Sequence, residues 1–301
     1  MYLEEFRLPG EGWESNFLAK SREARRTCYR SFYPFGLFPL RGLERVTCAP
    51  ITVFYGGNGS GKSTLLHLIA RSVGVECGAR FNRSAFFDEF AGACRWSGEG
   101  APAGSRLIAS DDVFDFLLDL RCLNDGVDRR RDDLLAEYTQ RKYAHYQLRS
   151  LADFEELRQY NDAKRLTGSR FVRENLMDET PERSNGESAF LYFTEHIQEK
   201  GLYLLDEPEN SMAVSFQLQL ARFLEDSARF FGCQMLIATH SPFLLSLKGA
   251  RVYDLDARPA AVRPWTELEN MRRYYAFFQA HRDEFERQER ENPFDKPEER
   301  W

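Results

Sequence analysis

The sequence has no run of 18 or more apolar residues, the length that a membrane-spanning helix requires. Its six cysteines include no C-x-x-C pair, which argues against a zinc site and against a disulfide framework. The opening segment MYLEEFRLPGEGW lacks the charged and then apolar layout of a secretory signal. These absences predict a cytoplasmic protein with reduced thiols and without a membrane partner.

An excess of positive charge is also lacking, because 41 Lys and Arg residues stand against 47 Asp and Glu residues, a formal net charge of −6. A body that is basic overall and binds nucleic acid is therefore not expected, and Arg129–Arg131 is the local basic candidate for such a contact. Apolar residues make up 43% of the 301 positions and charged residues 29%, which is typical of a globular protein with a sizeable core.

The segment GGNGSGKST, residues 56–64, matches the pattern G-x-x-x-x-G-K-[ST]. It follows ITVFY, a predicted strand, and precedes LLHLIARSV, whose apolar spacing predicts a helix that ends near Gly74. In this context the N–H groups of the loop and the helix N-terminus attract phosphate oxygens. Lys62 is expected to reach the β- and γ-phosphates, and the Ser63 hydroxyl to bind Mg²⁺. The predicted nucleotide-binding residues of this loop are Asn58, Gly59, Ser60, Gly61, Lys62, Ser63 and Thr64.

Two further apolar strands are predicted to end on chemically active side chains. LYLLDEPEN ends on Asp206 and Glu207, and its continuous apolar run predicts a central strand of a parallel sheet whose carboxyl end lies beside the phosphate loop. Asp206 is suited to hold Mg²⁺, and Glu207 to orient and deprotonate an attacking water. MLIATHSPFLL ends on His240, which is suited to hydrogen-bond a γ-phosphate.

The rest of the sequence is predicted to be mostly helical, with one further strand. RLIAS (106–110) is a predicted strand, residues 75–105 are predicted to be irregular, and residues 113–183 are predicted to be a charged helical insertion. Two S/T-x-x-E capping boxes, Ser184 with Glu187 and Thr266 with Glu269, predict helix starts. A face of the second helix is predicted to pack inside the chain: Leu268, Met271, Tyr275, Phe278 and Phe285.

Together these motifs resemble the ABC-type ATPases, and within them the compact branch that includes the RecF-like and structural-maintenance-of-chromosomes proteins. The resemblance covers about residues 43–256, with 113–183 matched only in kind. In that family GGNGSGKST is the Walker A loop, LYLLDEPE is the Walker B strand with its catalytic glutamate, and ATHS is the switch-histidine loop. SNGES, residues 184–188, occupies the place of the signature motif.

The resemblance implies an α/β P-loop NTPase of the ABC-ATPase type, with a three-layer, mostly parallel sheet, an antiparallel N-terminal β part and a helical insertion. It implies one domain over 1–301. The nucleotide-binding lobe would be 1–112 and 187–256, the insertion 113–186, and the C-terminal helix and tail 257–301. ATP and Mg²⁺ are the implied ligands, with Glu207 and His240 as the catalytic residues.

The resemblance also implies a second half of the site. In the family the signature helix points its N-terminus at the γ-phosphate held by another subunit, so Ser184, Gly186 and Glu187 would bind the nucleotide of a second copy. ATP would then hold a homodimer together, and hydrolysis would release it. Alternatively, Ser184 and Glu187 form a plain capping box for their own helix.

The chain departs from the transporter members of the family. No glutamine occurs between Lys62 and Gln140, and Asp111 or Asp112 stands where a glutamine loop would lie, so Asp111 is a candidate Mg²⁺ ligand. An aromatic cluster before the loop either stacks on adenine or packs in the core: Tyr29, Phe32, Tyr33 and Phe35.

Three functions follow from these observations. The leading interpretation is an ATP-hydrolysing dimeric switch in DNA repair or anti-phage defence, with a separate effector protein, a nuclease or a toxin, and with nucleic acid as a further candidate partner. The alternatives are a nucleotide-binding subunit of an ABC transporter and a non-hydrolysing ATP sensor or scaffold. The presence of both Glu207 and His240 favours hydrolysis over the last of these.

Overall fold

In the computed structural model, residues 1–26, 28–29, 31–78, 81, 83–143, 165, 167–176 and 184–291 are described. Strands β1–β10 are Glu5–Arg7, Arg45–Thr47, Ile51–Tyr55, Glu76–Cys77, Arg95–Ser97, Arg106–Ala109, Leu202–Asp206, Gln234–Ala238, Arg251–Asp254 and Ala261–Val262. Helices α1–α10 are Glu11–Lys20, Lys62–Val73, Phe87–Ala93, Ser110–Tyr143, Gly168–Asn175, Asn185–His196, Val214–Phe230, Pro242–Leu245, Glu269–Ala280 and Arg282–Glu291. Short 3₁₀ helices lie at Pro39–Arg41 and Trp265–Glu267. No helix among these residues is long and apolar enough to cross a membrane.

The main sheet is mixed but mostly parallel. Among the described residues it has seven strands in the order β10-β9-β3-β8-β7-β6-β4, and every pairing is parallel except that of β10 with β9. The central strands β3, β7 and β8 are buried at all five positions, as the continuous apolar runs of the sequence predict. The predicted mostly parallel α/β sheet is therefore confirmed.

A second, antiparallel sheet in the order β2-β1-β5 joins the N-terminal strands to β5. The prediction that residues 75–105 are irregular was wrong, because they contain β4, α3 and β5. These elements are too short for a clear period in the sequence. They are held by tertiary contacts instead, since Phe87 and Phe90 of α3 belong to the main core.

The core forms on both faces of the main sheet. Leu202 and Leu204 of β7 pack in one cluster with apolar residues of α2, which contacts β6, β7 and β8. The intervening Tyr203 and Leu205 are equally buried and, by the alternation of a strand, point to the other face. Both faces of the sheet are shielded from water, which is typical of a parallel sheet with helices on each side. This agrees with the three-layer arrangement that the family resemblance implies.

The chain divides into two compact units, Met1–Asp112 with Phe190–Trp301, and Val113–Ala189. The first contains both sheets. In the second, α4 and α5 contribute a small apolar cluster in which Leu134, Tyr138 and Phe171 are buried. The predicted domain bounds stay a prediction. Of the predicted helical insertion, residues 144–164, 166 and 177–183 lie outside the described residues.

The basic triplet of the insertion lies within α4, and two of its three arginines contact carboxylates. Arg130 lies 3.1 Å from Glu137, and Arg131 pairs with Asp128. In this part of the predicted helical insertion, α4 is one continuous helix from Ser110 to Tyr143. The local positive charge is therefore partly neutralised, which weakens Arg129–Arg131 as a nucleic-acid contact.

The C-terminal helix differs from its prediction in two ways. The residues Thr266 and Glu269 do not form the expected capping box, because Trp265–Glu267 is a 3₁₀ helix and Leu268 is the N-cap of α9. Leu268 and Met271 are buried, whereas the aromatic rings further along the predicted inward face are more than half exposed. Those exposed rings are Tyr275, Phe278 and Phe285.

The packing of β7 gives a stability test. Leu204 is fully buried in the middle of this strand, so Leu204→Ala removes apolar burial and leaves a cavity. We expect the free energy of unfolding, measured in urea, to fall by about 2–5 kcal/mol. The matched control Leu40→Ala, at a position 75% exposed, is expected to change it by less than about 0.5 kcal/mol. Equal losses would contradict this account of the core.

Candidate nucleotide site

The site lies at the carboxyl ends of three neighbouring parallel strands. In the register of the sheet, Phe54 of β3 and Asp206 of β7 are both partners of Ala238 on β8. The segments that leave these strands carry the glycine-rich loop, the acid pair and His240, and they therefore meet at one edge. This is the edge at which α/β sheets bind ligands.

The loop between β3 and α2 has a tight backbone at Gly56 and Gly61, where a side chain does not fit. A Cβ on Gly56 would lie 2.7 Å from Ser60 Oγ, and one on Gly61 would lie 2.9 Å from Leu37. Gly61 is the N-cap of α2, with φ +93° and no side-chain cap, so the first N–H groups of the helix are open to a ligand. Ser60 Oγ is buried and has no hydrogen-bond partner within the described part of the chain.

Two residues from distant parts of the sequence hold the loop. Asp256 Oδ2 accepts a 2.6 Å bond from Gly57 N, and Arg41 donates from Nη2 to Gly59 O at 3.0 Å. Arg41 also donates to Leu255 O at 2.6 Å. Neither Arg41 nor Asp256 was predicted from the sequence to belong to the site. The local signal for Asp256 is its place two residues after the end of β9.

Lys62 opens α2 and its ammonium is the centre of the site. Nζ donates to Gly56 O at 2.7 Å, lies 2.7 Å from His240 Nε2, and is 3.8 Å from Glu207 Oε1. Because an ammonium can only donate, His240 Nε2 accepts this bond. Burial lowers the pKa of Lys62, and the negative charges of Glu207 and Asp206 oppose that shift.

Ser63 and Asp206 connect the loop to β7. Ser63 Oγ donates to Asp206 Oδ1 at 3.0 Å. Burial raises the pKa of Asp206 to about 6; the Ser63 bond opposes this rise, while the nearby charge of Glu207 adds to it. Both oxygens are hard ligands of the kind that Mg²⁺ prefers.

Glu207 follows Asp206 in a left-handed conformation, with φ +48°, which is uncommon for a residue with a side chain. Its N–H donates to Ala238 O at 2.8 Å, and its Oε2 accepts from Asn210 at 3.2 Å. Oε1 lies 3.4 Å from His240 Nε2. The structure thus brings both predicted catalytic residues to Lys62.

Lys62, Ser63, Asp206 and Glu207 border a cavity of 870 Å³, a size that fits a nucleotide. His240 is not among its lining residues and reaches the site through Lys62 and Glu207. Loop residues 58–64 line it together with Asp206 and Glu207. Asp111 also lines it, whereas Asp112 turns back and accepts a 2.8 Å bond from Ala109 N. Among the described residues no group of three or more His, Cys, Asp or Glu could hold a metal ion alone.

The aromatic cluster before the loop divides between core and cavity. Tyr29 and Phe32 contact Phe86, and Phe35 packs on Trp13 and Phe90. Tyr33 instead lines the cavity, and its hydroxyl bonds that of Thr64. Core packing therefore accounts for three of the four rings, and stacking on adenine stays open only for Tyr33.

The signature segment lies in the insertion unit at the start of α6. Ser184 Oγ accepts a 3.3 Å bond from Glu187 N, and Ser184 O accepts from Ser188 N at 3.0 Å. Asn185 accepts from Arg121 at 2.8 Å, and Gly186 is buried. The predicted capping bond is therefore present, and the role of this segment toward a second copy stays a prediction.

The residues present fit a nucleoside triphosphate with Mg²⁺. Gly56 and Gly61 leave no room for a side chain, Ser60 Oγ has no partner among the described residues, and the uncapped start of α2 offers N–H groups to an anion. Ser63 and Asp206 offer oxygen atoms to a cation. Strand, loop and helix thus have the arrangement of a P-loop, and the mostly parallel sheet fits a P-loop NTPase fold.

No family model matches this chain, and no curated protein matches it. Among solved structures, the chain is similar to the SMC head domain from Thermotoga maritima, with 12% sequence identity and a TM-score of 0.36. That likeness covers 88% of this chain and 99% of the other. At this TM-score the site is interpreted from its own geometry alone.

The raised pKa of Asp206 predicts a pH-dependent penalty. The carboxyl of Asp206 keeps its proton more readily in the folded than in the unfolded chain. The contribution of Asp206 to the free energy of unfolding is therefore fully present below about pH 4 and is lost as the pH rises through about 6. Asp206→Asn should therefore gain up to about 3 kcal/mol of unfolding free energy over wild type between pH 4 and pH 7.5, measured without Mg²⁺ or nucleotide. The control Asp88→Asn, at an exposed carboxylate, should not. A gain independent of pH would be the contrary result.

Proposed function

We propose that this protein binds ATP with Mg²⁺ and hydrolyses it. One observation carries this proposal: Lys62, Ser63, Asp206, Glu207 and His240 converge from three parallel strand ends on a glycine loop whose backbone leaves room for phosphate. Such convergence of a P-loop, a metal-binding pair and a candidate base is the constellation that phosphoryl transfer needs. A glycine turn without a ligand would not require Lys62 and Asp206 to be buried.

The binding roles follow from the donors that each residue offers. The N–H groups at residues 58–64 and the Lys62 ammonium would contact the phosphates. Ser63 and Asp206 would hold Mg²⁺, with Asp111 on the cavity wall as a further candidate. Bound Mg²⁺ supplies positive charge against the phosphate oxygens. The raised pKa of Asp206 supports this role, because a buried carboxylate gains most when a cation neutralises it.

The chemical roles fall to Glu207 and His240. Glu207 would accept a proton from a water whose oxygen bonds to the γ-phosphorus, while the bond from that phosphorus to the bridging oxygen of ADP breaks. His240 would contact the γ-phosphoryl group and orient it. Both lie beside the Lys62 ammonium, at 3.8 Å and 2.7 Å, which supports their action on the group that Lys62 binds.

The dimeric switch is the finer part of the proposal. A second copy would place Ser184, Gly186 and Glu187 against the γ-phosphate, so that ATP joins two subunits. The place of these residues at the start of α6 supports this, although the Ser184 hydroxyl already caps that helix. Action in DNA repair or anti-phage defence, through a separate nuclease or toxin effector and with nucleic acid as a candidate partner, rests on the family resemblance alone.

Hydrolysis is tested by phosphate release with Mg·ATP. Glu207→Gln removes the base but keeps the shape, so we expect release to fall at least about 100-fold while ATP still binds. Lys62→Ala should abolish ATP binding itself. The control Glu99→Gln, whose exposed carboxylate pairs with the N-terminus, should release phosphate at the wild-type rate. Undiminished release by Glu207→Gln would exclude Glu207 as the base.

The dimer is tested by light scattering on the Glu207→Gln variant, whose subunit mass is 35.1 kDa. We expect the mass to double with Mg·ATP and to stay single without it. Adding Ser184→Arg should prevent the doubling, because the bulky cation blocks the helix start. The matched control Thr167→Arg alters another N-cap of the insertion and should leave the doubling intact. If Mg·ATP binds but the mass does not change, the homodimer is excluded and Ser184 is a plain cap.

A further inference from the structure

Glu209 connects the turn after β7 to the end of β8. Its Oε1 accepts three hydrogen bonds, from Thr239 Oγ1 at 2.6 Å, from His240 N at 2.7 Å and from Ser241 N at 3.0 Å. Its other carboxylate oxygen, Oε2, is buried and has no hydrogen-bond partner in the part of the chain that the structure describes. No role for Glu209 was predicted from the sequence, because its three partners lie about 30 positions away.

The three bonds fix the backbone on both sides of His240. Thr239 is fully buried and also accepts from Ser241 N through its hydroxyl, at 3.0 Å. Ser241 caps α8 through Phe243 N and donates to Gln217 at 2.8 Å. The backbone at 239–241 therefore has little freedom, and the His240 side chain leaves it toward Lys62.

The same short turn carries Glu207. Glu207 N donates to Ala238 O, so the turn and the end of β8 are joined at two points, by this backbone bond and by the Glu209 carboxylate. Bonds from N–H groups to a carboxylate are stronger than bonds to a neutral acceptor. One charged side chain thus ties the position of His240 to the position of Glu207, although it does not line the cavity.

We propose that Glu209 is a positioning residue for the phosphoryl-transfer step. It holds the His240 backbone so that the imidazole and the Glu207 carboxylate keep their relative placement at the reacting phosphate. Glu209 itself contacts neither nucleotide nor metal. The inference rests on the proposed function and deepens it. It assigns the orientation of His240 to Glu209, the third acid of the DEPEN segment after Asp206 and Glu207.

The kinetic test compares Glu209→Ala and Glu209→Gln with wild type in steady-state phosphate release with Mg·ATP. Glu209→Ala should lower kcat about 30- to 100-fold with KM within about 3-fold, because a displacement near 1 Å can cost that much rate. Glu209→Gln should stay within about 5-fold of wild type, because its amide oxygen can still accept the three bonds. A kcat unchanged by Glu209→Ala, or reduced equally by Ala and Gln, would overturn the proposal.

A double variant separates positioning from general stabilisation. If Glu209 acts through His240, Glu209→Ala combined with His240→Ala should be no slower than His240→Ala alone, within about 3-fold. Losses that multiply would overturn the proposal. Glu225→Ala is the matched control, since Glu225 also accepts a backbone bond, from Lys248 N at 2.8 Å, but away from the cavity; it should keep wild-type kcat.

A readout independent of hydrolysis keeps the two proposals apart. The ring signal of His240, assigned by its loss in His240→Ala, is recorded by NMR in nucleotide-free protein, which has five histidines. It should shift in Glu209→Ala and stay in place in Glu209→Gln and Glu225→Ala. If wild type releases no phosphate, the proposed function fails, and this signal alone decides whether Glu209 positions the ring. An unmoved signal in Glu209→Ala overturns the inference.

Glu209→Ala removes the acceptor of His240 N and one of the two acceptors of Ser241 N, and thermal unfolding reports whether this variant folds. If Glu209→Ala does not fold, Thr239→Val is used in its place. Valine keeps the shape of threonine and removes the hydroxyl that donates to Glu209. We then expect kcat to fall about 3- to 10-fold with KM unchanged and the His240 signal to shift. A Thr239→Val variant with wild-type kcat and an unmoved signal would overturn the inference.

Discussion

The parallel register of β3, β8 and β7 is the constraint on which the site depends. Phe54 and Asp206 share Ala238 as a partner, so three segments that are far apart in the sequence leave the sheet side by side. The site needs no long loops: Asp206 ends β7, Glu207 and His240 come within two positions of their strands, and Lys62 follows β3 by seven. A slip of one residue in any of these strands would turn buried side chains to the opposite face and would move the acids away from Lys62.

The site is built against local stability. Glu207 adopts a left-handed conformation, and burial raises the pKa of Asp206 to about 6. Ser60 Oγ and Glu209 Oε2 are buried without a partner among the described residues. Backbone strain and buried polar atoms of this kind persist when the surrounding fold enforces them, and they cluster at functional sites. The fully buried strands β7 and β8 provide that enforcement here.

The sequence was sufficient where the signal is local. Continuous apolar runs predicted β3, β7 and β8, and the glycine pattern located the loop. The contacts that complete the site could not be predicted, because they join distant positions: Asp256 to Gly57, Arg41 to Gly59, and Glu209 to His240. Short elements such as β4 and β5 were missed because two or three residues carry no period. The predicted capping box at Thr266 was wrong, because Thr266 lies inside a 3₁₀ helix and Leu268 is the N-cap of α9.

The contacts of Lys62 have a consequence for how a nucleotide would enter and leave. Gly56 O and His240 Nε2 already accept bonds from the ammonium, so an arriving phosphate competes with the protein for the same donor. The binding free energy of the phosphate would then be the gain from its own bonds to Lys62 minus the loss of the bonds that Lys62 makes within the protein. The affinity would be lower than the phosphate contacts alone imply. The reverse also holds. When a phosphate left the site, the Lys62 ammonium would donate to Gly56 O and His240 Nε2 again. Its buried charge would therefore not stay unpaired, and release of the product would not carry that penalty.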